Sequence, residues 1–97
     1  MNLKEFQATL THPTPPPGLS PALQAMWQDG QGDWGAAHQI LQSDNSRAGC
    51  WAHAYLHRKE GDPVNAGYWY SRAGRTMPAS SLETEWAEIV TALRGEG

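Results

Sequence analysis

The sequence predicts an all-α fold: five or six short helices, arranged as two stacked helical hairpins with a C-terminal capping helix. Three observations carry this expectation. Apolar residues recur at steps of three and four along most of the chain, the period of a helix with one buried face. Capping residues precede these runs, namely Ser20-Pro21, Asp33, Asp62-Pro63, and Ser80 with Glu83. No pair of segments reads as adjoining strands. With 97 residues, 39% of them hydrophobic and five Trp among nine aromatics, the chain holds enough bulky apolar surface for one small domain. A second domain does not fit.

Residues 1–11 place Leu3, Phe6 and Leu10 at helical spacing, giving a short amphipathic N-terminal helix. Residues 12–19 contain four of the seven prolines, which fix φ and remove amide donors, so this stretch reads as an extended linker. Its Pro13-x-x-Pro16 spacing is also that of a polyproline ligand, although a spacer between helices needs no reader. The helical-hairpin core then occupies residues 20–94. Ser20 as N-cap and Pro21 at the first helical position start a helix with Ala22, Leu23, Met26 and Trp27 on one face, ending near Gly30. Asp33 caps a second helix through Trp34, Ala37, Ile40 and Leu41, which breaks at Ser43-Asp44-Asn45-Ser46. A third helix covers residues 47–60, and a fourth starts at Asp62-Pro63 and stops near Gly74. Ser80 and Glu83 have capping-box spacing ahead of Leu82, Trp86, Ile89, Val90 and Leu93, so the last helix extends to about Arg94.

Seven Lys/Arg against ten Asp/Glu give a net charge of −3 without a basic run, the wrong footprint for binding nucleic acid through phosphates. The apolar runs are far too short to span a bilayer, so no membrane segment is expected. A single Cys50 and the absence of a signal-peptide layout point to a cytoplasmic protein. Cys50 itself reads as a small buried residue.

A shift of 29 residues lays Gly32-Asp33 on Gly61-Asp62, Ala37 on Ala66, Ile40 on Trp69 and Leu41 on Tyr70. The same shift carries Ala22, Leu23, Met26 and Trp27 onto Trp51, Ala52, Tyr55 and Leu56, so the two hairpins agree in phase. The segment Gly61-Asp62-Pro63-Val64-Asn65-Ala66-Gly67-Tyr68-Trp69-Tyr70-Ser71-Arg72-Ala73-Gly74 resembles the second helix of tetratricopeptide and Sel1-like repeats. The period departs from that family's usual ~34 residues. With His53-Ala54-Tyr55-Leu56-His57-Arg58-Lys59-Glu60 in front of it, the segment also resembles small bacterial proteins that have no assigned activity. The repeat resemblance spans about Leu23 to Gly74; it implies an interaction scaffold and transfers no catalytic residue.

Two polar strips stand out on the helical wheel. On the third helix Ala48, Trp51, Ala52, Tyr55 and Leu56 form the core stripe, and His53, His57 and Glu60 fall together on a flank expected to face away from it. Their spacing is His-x-x-x-His-x-x-Glu, in which two imidazoles reach one divalent ion such as zinc, nickel or copper, with the carboxylate as third ligand or orienter. Ala54 stands where a metalloprotease has its catalytic Glu, so protease chemistry is not expected. His38, one step off the core stripe of the second helix, is positioned to face this strip. Its commoner role is that of a core-edge imidazole bonded to a carbonyl. On the fourth helix Asn65, Tyr68 and Arg72 line up beside the buried Ala66, Trp69, Tyr70 and Ala73, a set suited to a carboxylate or a peptide main chain. All five Trp read as core, with Trp34 the one expected to be left partly exposed as a partner contact.

The leading expectation is therefore a noncatalytic module that binds a protein or peptide through Asn65, Tyr68 and Arg72, with His53, His57 and Trp34 at the margin. The alternative is a metal-binding protein or metal-dependent enzyme using His53, His57, Glu60 and His38. Two repeats are too few for a complete array, so the terminal helices or a second copy of the chain must finish the core, and a third reading is a structural subunit that pairs with itself as a homodimer.

Overall fold

Each helix starts where a short polar side chain can take up an unsatisfied amide. In the computed structural model, which describes residues 1–94, helix α1 (Leu3–Ala8) begins with Asn2 and Glu5 forming a reciprocal capping box, and a 3₁₀ turn (Thr9–Thr11) ends it. Helix α2 (Pro21–Gly30) is capped by Ser20, α3 (Trp34–Leu41) by Asp33, α4 (Arg47–Lys59) by Ser46 and α5 (Pro63–Arg72) by Asp62. Helix α6 (Leu82–Leu93) departs from expectation at its start. Its cap is Ser81, whose hydroxyl accepts from the Thr84 amide, so Ser80 and Glu83 form no capping box. The described residues are all helix, turn and irregular chain, with no strand.

The two turns equated by the 29-residue shift have the same conformation. Gly32 and Gly61 sit at φ 88° and 86°, where a Cβ is disfavoured, and the following Asp33 and Asp62 share φ/ψ of −108/77° and −115/78°. Their amides close equivalent loops: Asp33 N donates to Gln28 O, and Asp62 N to His57 O. Each turn reverses the chain, pairing α2 with α3 and α4 with α5.

Helix α4 is the centre of the molecule, packed against α2, α3, α5 and α6. Every residue from Gly49 to His57 is buried, and the small side chains of Gly49, Ala52 and Ala54 let neighbours approach from several sides. Helix α6 lies against α4, α2 and α1, so it covers the first helices of both hairpins. Phe6 of α1 is fully buried and meets the Trp86 ring at 5.9 Å, so the N-terminal helix belongs to the core. Residues 12–19 are irregular, and the Gln31 side chain holds their start by donating to Leu10 O and His12 O.

Two buried carboxylates tie the helices together. Glu85 of α6 accepts from Trp51 Nε1, Arg58 Nη1 and Tyr70 OH, at 3.2, 2.8 and 2.6 Å. Asp29 of α2 accepts from Tyr55 OH and Lys59 Nζ of α4, both at 2.9 Å. Burial and the facing carboxylates push both phenols, Tyr55 and Tyr70, well above the ordinary tyrosine range. No helix among the described residues is long and apolar enough to cross a membrane.

Candidate metal centre

The flank of α4 that carries His53 and His57 does not face away from the protein. Helices α3 and α5 pack over it, leaving His53 4% and His57 6% exposed. A helical wheel assigns residues to a face, but it cannot show that a second face is also covered.

The four-residue spacing stacks the two imidazoles at 4.9 Å between centroids, 26° from parallel. His38 enters from α3, nearly perpendicular to both, 4.9 Å from the His53 ring and 5.2 Å from that of His57. One nitrogen from each of the three rings falls within 4.8 Å of the others. Two indoles wall the cluster. Trp69 of α5 stacks on His53 at 3.9 Å and 11°, and Trp34, one turn before His38, stacks on it at 4.9 Å and 8°. Trp34 is left partly exposed, as is Trp69, and its Nε1 donates to Leu56 O at 2.8 Å.

The hydrogen bonding is uneven. His57 Nδ1 lies 2.6 Å from Glu60 Oε2, so its N–H donates to the carboxylate and Nε2 keeps a free lone pair. Glu60 therefore orients an imidazole instead of joining the three-ring cluster. A second acidic grouping, His57, Glu60 and Asp62, shares His57, but Glu60 already occupies Nδ1 and Asp62 caps α5 through the Asn65 amide. His38 and His53 make no hydrogen bond among the described residues, and His53 Nδ1 is buried without a partner. The core-edge imidazole bonded to a carbonyl, the commoner expectation for His38, is accordingly not what is found.

Charge is disfavoured on two of the rings, His53 and His38. Burial first, then the neighbouring His57 and His38 and the Arg72 cation, lower His53 to a pKa of about 4. Burial and His57 also lower His38, partly offset by Glu60. Neutral imidazole is the form that binds metal.

The strip on α5 is only partly assembled. Tyr68 is 56% exposed, and Arg72 reaches its hydroxyl at 3.5 Å and Asn45 Oδ1 at 3.4 Å, both long contacts. The Arg72 guanidinium stands 4.9 Å over the Trp69 ring. The Asn65 side chain does not join this pair. Cys50 is buried with its thiol toward Asn45 O and takes no part in the histidine cluster.

Sequence reasoning missed the role of Trp69, which core periodicity alone explained, and the two buried carboxylates Asp29 and Glu85. Glu85 precedes Trp86 in a core-phase stretch, and nothing in its local pattern separates it from a solvated glutamate. No protein-family model matches this chain, and neither a curated protein nor a solved structure matches it.

Proposed function

We propose that this chain is a metal-binding protein that holds one first-row divalent ion, zinc by preference, on His38, His53 and His57. The observation that carries the reading is the convergence of three imidazoles from two helices, His53 and His57 buried and His38 partly so, with His38 and His53 making no hydrogen bond. A buried ring nitrogen without a partner, such as His53 Nδ1, costs about 1–3 kcal/mol, a poor solution for packing alone. A tetrahedral zinc ion with bonds of 2.0–2.1 Å needs its nitrogens about 3.3 Å apart, and small side-chain rotations bring nitrogens within 4.8 Å to that spacing. The set contains no thiolate, which suits zinc, copper, nickel or cobalt. Three protein ligands leave a fourth position for water or another ligand, as in zinc sites that polarise a bound group. In this reading Glu60 fixes the His57 tautomer and increases its basicity.

The test is metal uptake by protein first stripped with chelator. Native mass spectrometry after zinc addition is expected to give one ion per chain. His53→Ala and His57→Ala each weaken binding at least a hundredfold, while His12→Ala, which removes the exposed fourth histidine, leaves it unchanged. Absence of stoichiometric uptake, or equal loss in all three variants, overturns the assignment. Glu60→Gln keeps a hydrogen-bond acceptor but loses the charge. Zinc affinity is expected to fall 10- to 100-fold, the usual effect of removing a ligand's orienting carboxylate. Titration against a chromogenic chelator reads this directly, and an unchanged affinity would mean that Glu60 does not act through His57.

A further inference from the structure

We infer that the centre takes an oxyanion, a carboxylate or phosphate group held between the open coordination position of the metal and the guanidinium of Arg72. This rests on the metal reading above and names the ligand class of the same site. Arg72 is exposed and has no carboxylate within ion-pair distance among the described residues. Its two hydrogen bonds, at 3.4 and 3.5 Å, are long and go to neutral oxygens, so the planar fork of donors is poorly satisfied. Its position is nonetheless tied to the histidines. The guanidinium lies over the Trp69 ring, and that same ring stacks on His53.

Charge balance points the same way. A divalent ion on three neutral imidazoles carries two positive charges, Arg72 adds a third, and Glu60 is already bound to His57 at the C-terminal end of α4. A loaded centre and the Arg72 guanidinium, which shares the Trp69 indole with His53, thus make a net positive field with a bidentate donor. This is the arrangement that recognises carboxylate and phosphate. The long arginine stem and weak present bonds let the fork turn onto an anion without breaking a buried contact.

The experiment uses the full chain loaded with cobalt(II), whose visible absorption reports its coordination sphere. Inorganic phosphate and acetate are titrated separately into the wild type, Arg72→Ala, Arg72→Lys and Lys4→Ala, the last removing a cation from α1. At least one anion is expected to shift the cobalt spectrum saturably. Arg72→Ala weakens that anion at least tenfold without changing cobalt affinity, Arg72→Lys restores part of the loss, and Lys4→Ala has no effect. The anion more sensitive to Arg72 identifies the carboxylate or phosphate source. If neither anion alters the spectrum, or if Arg72→Ala and Lys4→Ala behave alike, the oxyanion site is overturned while the metal centre stands. If the protein takes up no cobalt, both fall together.

Discussion

Replacing Glu85 with alanine is expected to lower the stability of the fold by about 3–5 kcal/mol, the range for breaking a buried charge pair by removing one partner. The carboxylate is 1% exposed and serves donors on two other helices: Trp51 and Arg58 on α4 and Tyr70 on α5. Alanine leaves all three donors facing a cavity, and Arg58 becomes a half-buried cation whose remaining side-chain bond is to Ser80 O. Glu85→Gln keeps the shape and one acceptor oxygen, but it turns an amide donor toward groups that themselves donate, so an intermediate loss of about 2 kcal/mol is expected. Urea unfolding followed by tryptophan fluorescence measures both. A loss below about 1 kcal/mol in Glu85→Ala would show that the network is peripheral to stability.

The second large effect is on acid stability of the metal-free protein. His53 has a folded pKa of about 4 against an ordinary 6.5, so the unfolded chain takes up its proton first as pH falls. The stability associated with neutral His53 is therefore full above pH 6.5 and is lost progressively down to pH 4, in total roughly 3 kcal/mol. His38, also lowered, adds to the loss in the same direction. The groups that face His53 are His57, His38 and Arg72, all of which oppose its protonation. Denaturation midpoints taken from pH 7 to pH 4 with chelator present should fall steeply in the wild type. His53→Phe, which keeps a ring against Trp69, should flatten that dependence. Equal slopes in the two proteins would remove His53 as the source.

Much of the local structure was legible because it depends on short-range chemistry. Ser20, Asp33 and Asp62 cap the helices assigned to them, and Gly32, Gly61 and Gly74 adopt the positive φ that ends a helix. The one displaced cap illustrates the limit. Ser80 and Ser81 are adjacent, and a shift of one residue decides which side chain meets a free amide. The 29-residue internal correspondence was also legible, and it is mirrored in the matching geometry of the two Gly-Asp turns.

The histidines show where sequence reasoning stopped. Their spacing put His53 and His57 on one face and Glu60 beside His57, and that much is a property of a single helix. Whether the face met water or two other helices depended on how α3 and α5 pack on α4. The clue was the small residues Gly49 and Ala54, on sides of α4 that the apolar stripe did not need. The sequence by itself determined the helices, their ends and the pairing of neighbours through tight turns, because these follow from backbone sterics, capping and a 3.6-residue period. Only the tertiary structure decided that His38 joins His53 and His57 between two indoles, that Glu60 orients one ring, and that Arg72 lies over the indole stacked on His53 with its donors underused. Those relations join residues on three separate helices, and their distances are fixed by interhelical packing, which local periodicity does not encode.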